Sequence, residues 1–246
     1  MNCSHQSQNT RIQVDRASEE LPHCLNIMNC SFQLKRTVSQ ADPREFSRKT
    51  AIHEAGHAAA IYLGNKQKQL PPVFFQIYIN ELNGGIQLPG CSNKSTTNWI
   101  AKGLLIHTLP SSFEEAIRDF SEAQTQVYKA VFEADIINLL AGPLAEANYV
   151  AKCDNELINP RLVNINALHN YGGSPDLEIV NEYIECFIAG KEQREKKIAE
   201  LFLAAFEFIN IPSNWRAIMI LADYIVAARK STIECEEIIS VLNARF

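Results

Sequence analysis

Two histidines four residues apart constrain this chain most, because they bear on one point only if the segment carrying them is α-helical. The segment reads Thr50-Ala51-Ile52-His53-Glu54-Ala55-Gly56-His57-Ala58. On a helix, His53 and His57 sit about 40° apart and one turn from each other. Two imidazoles so placed can close on a single zinc ion, and the helix holds them there without loop entropy. Glu54 lies about 60° round from His57, beside the metal rather than on it. There a carboxylate can take a proton from a water on the metal. Ile52, Ala55, Ala59 and Tyr62 follow the spacing of a core stripe, so the same helix is expected to bury a face beside its histidines. Asp42 as cap, Pro43 at the first helical position and Glu45 reaching back mark its start; it is expected to run to Leu63 and stop at Gly64.

The remainder reads as mainly α-helical with a small β-hairpin or sheet beside the histidine helix. Ten glycines and ten prolines in 246 residues are about 8% of the chain, against a usual ~12%, which favours long helices over a loop-rich β fold. Val73 to Ile79 is β-rich, and Asn83-Gly84-Gly85 is a turn signal before Ile86-Gln87-Leu88, so these are expected to pair as a hairpin. Ser112 with Glu115 predicts a helix to about Ala141, broken at Gly142-Pro143, with a shorter helix continuing through Glu146 to about Val150. A loop from Cys153 to Gly173 leads to Ser174-Pro175-Asp176, read as cap and proline at a helix start. Further helices are expected up to Gly190, over Lys191–Ile209 and over Ser213–Arg229, with Ser231 and Glu234 capping the last. Strands do not alternate with helices, so a doubly wound sheet is not expected. Residues 1–41 read as an arm or appendage and 42–246 as the domain.

Several function classes are set aside. The net charge of −5 gives no basic footprint for nucleic acid. Ala217 to Ala228 is the longest apolar stretch, too short for a bilayer and interrupted by Asp223, so no intrinsic membrane segment is expected. Residues 1–20 contain no apolar signal region. Seven cysteines without a CxxC pair suggest neither a disulfide framework nor a cysteine zinc site, and fit reduced thiols in the cytoplasm. No GxxxxGK[ST] loop is present, so no ATP site is expected.

Zinc needs a third protein ligand, leaving one position for water. Glu146, Asp176, Glu178, His107, His169 and Asp135 are all candidates, and spacing does not choose among them. Asp176 falls in the first turn of a helix behind Pro175, where an acid also favours the helix dipole. The β-rich stretch Phe74–Ile79, or Gly85–Leu88, is a candidate sheet edge for an extended substrate.

Thr50 to Ala60 resembles the zinc helix of the FtsH-type AAA+ proteases, with their HEAGHA core. Leu140-Ala141-Gly142-Pro143-Leu144-Ala145-Glu146 resembles the family's glycine-rich helix segment, and Tyr171-Gly172-Gly173-Ser174-Pro175-Asp176-Leu177-Glu178 its aspartate segment. Leu221 to Leu242 resembles the closing helices. The resemblance spans about residues 43–246 and implies a helical, zincin-like peptidase domain with His53, His57 and Asp176 as zinc ligands, Glu54 as general base and Glu146 as a nearby acid. It implies a zinc-dependent endopeptidase acting on flexible or unfolded polypeptides, as a homo-oligomer or beside a separate AAA+ partner. The alternative is a catalytically silent, zinc-stabilised helical partner of a protease assembly. The family's ATPase domain and membrane segment are not seen before His53. Pro143 and Pro175 replace the arginine and asparagine usual at their places, and extra material lies between Ser92 and Leu139 and between Cys153 and Gly173.

Overall fold

The histidine helix α1, Pro43–Ala59, forms where its periodicity places it. In the computed structural model, residues 43–79, 99–160, 165–228 and 231–244 are described. The Asp42 cap, the Glu45 side chain, the 1–41 arm, and the turn and strand expected at 83–88 lie outside the described residues. Gly64 does not stop the helix. The chain passes through a π-turn, Ala60–Gly64, into a last helical turn, Asn65–Gln67, with Gly64 itself in the right-handed helical region at φ −66°. The stop comes at Gln69, where φ is 57°.

The β-rich stretch forms β1, Phe75–Tyr78, with Phe75 and Ile77 buried on alternate positions. It is the central strand of an antiparallel sheet ordered β2-β1-β3, in which β2 is Trp99–Lys102 and β3 is Thr232–Ile233. Phe75 pairs with Lys102 and Tyr78 with Trp99 on one side; Ile77 pairs with Ile233 on the other. The expectation that Phe74–Ile79 offers a substrate edge is therefore corrected over Ile77 and Tyr78, where both sides are taken, while Phe75 and Gln76 are strand-paired on one side. The alternative edge, Gly85–Leu88, lies outside the described residues.

Ser112 caps only a single turn, α2 (Phe113–Ala116), accepting from the Glu115 amide at 3.2 Å. The long helix α3, Glu122–Cys153, has its own capping box of Ser121 and Gln124 and runs unbroken through Gly142-Pro143. The expected break fails for an energetic reason. A proline inside a helix costs ~3 kcal/mol, whereas each large aliphatic side chain removed from water contributes ~1.5–3 kcal/mol. Every residue from Ala134 to Ala145 is buried, so packing on both sides of α3 outweighs the breaker.

After a 3₁₀ segment, Ile165–Tyr171, come α4 (Ser174–Phe187), α5 (Lys191–Asn210), α6 (Pro212–Ala227) and α7 (Cys235–Asn243). Gly173, not Ser174, takes the cap position of α4, and the Ser174 hydroxyl instead bonds His169 Nδ1 at 3.0 Å. The last capping box is Glu234 with Glu237 rather than Ser231 with Glu234.

Helix α1 packs against α3 and α6, with Ala51, Ile52, Ala55, Ala58 and Ala59 removed from solvent. The small residues let α1 and α3 cross closely: a Cβ on Gly56 would lie 2.6 Å from the Ala141 carbonyl oxygen. Among the described residues the fold is mainly helical with one small antiparallel sheet. No helix among the described residues is long and apolar enough to cross a membrane.

Candidate metal centre

His53, Glu54 and His57 are buried, between 4% and 8% exposed, so each polar atom must be accounted for. His57 Nδ1 lies 2.8 Å from the main-chain oxygen of Asn138 on α3. A carbonyl only accepts, so Nδ1 carries the proton and Nε2 presents a lone pair. His53 Nδ1 faces two acceptors in the same way, the Tyr171 carbonyl at 3.2 Å and Glu146 Oε2 at 3.2 Å. Both Nε2 atoms therefore turn inward, 3.1 Å apart. Two lone pairs at that distance repel unless a cation lies between them.

Asp176 completes the cluster from the first turn of α4. Its Oδ2 is 3.3 Å from His53 Nε2 and its Oδ1 3.4 Å from His57 Nε2. The carboxylate thus spans both imidazoles, one oxygen to each, and with one ligand atom from each residue the three lie within 4.8 Å of one another. Two imidazoles and a carboxylate gathered so closely suit a single zinc ion. Among the described residues, His53, His57 and Asp176 are the group gathered closely enough to hold a metal. Glu146 binds the far nitrogen of His53, outside the cluster. That is the arrangement that orients a ligating imidazole and raises its basicity.

Glycines make the approach possible. A Cβ on Gly142 would stand 2.2 Å from His57 Nε2, so only glycine lets α3 pass beneath that ring. Gly172, at φ +71°, turns the chain from the 3₁₀ segment into α4 and lies against His53 and Glu146.

The electrostatics also call for positive charge. Burial works against protonating His53, yet its hydrogen bonds to Asp176 and Glu146 raise it to about 10. Burial would lift Asp176 as well, but His57 and His53 hold it well below the usual carboxylate range. Glu54 is pushed up to about 7 by burial, in spite of the opposing charges of His53 and His57. Its Oε2 is buried and without a hydrogen-bond partner.

The other candidates are placed elsewhere. Asp135 is buried on α3 and accepts the Leu105 and Ile106 amides, each at 2.8 Å. His107, His169 and Glu178 are exposed, and His169 spends Nδ1 on Ser174. Sequence reasoning missed the Asn138 and Tyr171 carbonyls, because main-chain acceptors leave no residue signature. It read Gly142 as a break, although its pairing with Gly56 signals a close helix crossing. Compared with protein-family models, curated proteins and solved structures, the chain matches none.

Proposed function

We propose that this chain is a zinc-dependent endopeptidase, a zincin-like domain resembling a free-standing FtsH-type peptidase, that cuts flexible or unfolded polypeptides. The observation that carries the reading is the convergence of His53 Nε2, His57 Nε2 and the Asp176 carboxylate, within 4.8 Å of one another, beside Glu54, whose Oε2 is buried without a hydrogen-bond partner. A bound zinc ion would supply Lewis acidity toward a peptide carbonyl and lower the pKa of water at its fourth position.

The chain's own residues do the rest. His53, His57 and Asp176 would hold the ion, and the Asn138 and Tyr171 carbonyls keep both imidazoles in the tautomer that ligation needs. Glu54 takes a proton from the attacking water on its free oxygen and returns it to the departing amine. Side-chain exposure of 10% for His53 and 15% for Asp176 supports a narrow approach, open to an extended chain and closed to a folded surface. Free thiols at Cys153, Cys186 and Cys235 suit a reducing, cytoplasmic setting. Substrate delivery would fall to a separate AAA+ partner, with the chain itself acting as a homo-oligomer or beside that partner. The same burial favours a second reading, in which the metal only braces a helical partner protein.

One variant separates the two. Glu54→Gln should keep zinc and lose hydrolysis of flexible peptides by ~10²-fold or more, with the wild type silenced by a chelator and restored by zinc. Zinc-loaded wild type without peptide hydrolysis would leave the partner reading standing.

A further inference from the structure

The π-turn in the histidine helix has a geometric result at the metal centre. Asn65 lies eight residues after His57, which in a regular α-helix puts it about 80° round the axis. A π-turn inserts one extra residue. With Ala60–Gly64 in that form, Asn65 occupies the place of a seventh residue, about 20° from His57. Both therefore face α3, and both reach the same residue of it. His57 Nδ1 donates to the Asn138 carbonyl at 2.8 Å, and the Asn138 side-chain amide donates to Asn65 Oδ1 at 3.3 Å. Two hydrogen bonds and two helix segments close a ring around the imidazole.

The α3 turn in that ring needs such a brace. Pro143 has no N–H to give the Leu139 carbonyl, and Gly142 contributes no side chain to pack. The turn that offers its carbonyl to His57 is thus short of one helical hydrogen bond. Asn65 is 3% exposed and its own Nδ2 has no partner. A buried amide left half-satisfied is a poor way to fill space, so packing alone does not account for it.

We infer that Asn65 is a positioning residue for the metal centre, holding through the Asn138 side chain the carbonyl that fixes His57. The inference rests on the proposed metal centre, whose zinc affinity in the wild type is therefore measured first. The whole chain is titrated with zinc against a chromophoric chelator, and the visible spectrum of the cobalt-loaded form is recorded. Asn65→Leu keeps the volume and removes the acceptor. It should lower zinc affinity about tenfold or more, the effect usual for partners of a ligating histidine, and shift the cobalt bands. Asn138→Ala leaves the main-chain carbonyl in place and should do the same, and the double variant should be no worse than either single one. Tyr62→Phe is the control, since it deletes the 2.7 Å bond to Asn243 on the same π-turn without touching Asn138. Thermal unfolding of the chelated proteins checks that all are folded; if Asn65→Leu is not, Asn138→Ala decides alone. Wild-type affinity in Asn65→Leu, an equal loss in Tyr62→Phe, or additive losses in the double variant would each overturn the inference. A wild type that binds neither zinc nor cobalt would overturn the metal centre itself, and this role with it.

Discussion

Asp135 and Asp176 are two shielded aspartates that bind neighbouring parts of the fold together, and they differ in what they meet. Asp135 accepts the Leu105 and Ile106 amides and the Tyr183 hydroxyl, the last at 3.2 Å. Asp176 faces two imidazole nitrogens. The ordinary carboxyl value moves in opposite directions at the two places. Burial lifts Asp135 to about 6 despite its donors, whereas the histidines pull Asp176 down. Neutral donors satisfy lone pairs but bring no charge; imidazoles that have turned their lone pairs inward ask for a cation. The first aspartate builds and the second is equipped to bind. What Asp135 builds is one wall of a cavity of about 850 Å³, where Leu105 and Ile106 face Phe74, Tyr128 and Val131.

That contrast is broken most directly at Asp176. Asp176→Ala removes one donor of three and should weaken zinc binding by well over ~100-fold, beyond the loss usual for an outer partner. Asp135→Asn should leave zinc affinity within about threefold on the same chelator titration. Equal losses would erase the distinction between the two carboxylates. Gly142→Ala sharpens it from the other helix. The new methyl group has no room against His57, so zinc affinity should fall while unfolding free energy drops by ~1–3 kcal/mol, both readable in one denaturation series with and without metal.

A stability loss of similar size, without the loss of zinc, is expected from Asp135→Asn. The asparagine cannot accept from both amides and the tyrosine, and the penalty for stranding one buried donor is ~1–3 kcal/mol in urea unfolding. Smallest is its dependence on pH. The folded-state value of about 6 stands above the ordinary 3.8, so the folded protein holds this proton more tightly than the unfolded chain does. The stability it contributes is present at low pH and is lost as pH rises from about 4 to about 6. In chelated protein, the wild type's margin over Asp135→Asn should narrow from pH 4.5 to pH 7. A margin that widens would reverse the sign and remove burial as the governing cause.

The sequence made the histidine helix legible because everything it needs is local: a four-residue spacing, an apolar stripe and a proline at its start. Asp176 was one of six candidates by spacing, and only the resemblance around Gly172-Gly173-Ser174-Pro175-Asp176 singled it out. The course of α3 through Pro143 was not legible, since a local breaker competes there with burial contributed by α1. The π-turn left no trace either; Ala60 to Leu63 reads as ordinary helix with Gly64 as its stop, and the insertion is visible only in where Asn65 arrives. The role of Phe75–Tyr78 as a central strand depends on partners far along the chain, which no short window contains.

That last feature has a consequence for how the protein is made. Residues 77 and 78 pair with 232 and 233, so one flank of β1 has no partner until nearly the whole described chain has left the ribosome. The histidine helix and the α3 turns that cradle it emerge by residue 153 and can dock while synthesis continues. Throughout that interval the flank of β1 awaiting β3 presents unsatisfied amides and carbonyls, the kind of template on which a second nascent chain can pair. Translation speed past α6 therefore bears on yield, and a pause placed there would lengthen the time during which two copies can join by the wrong strand.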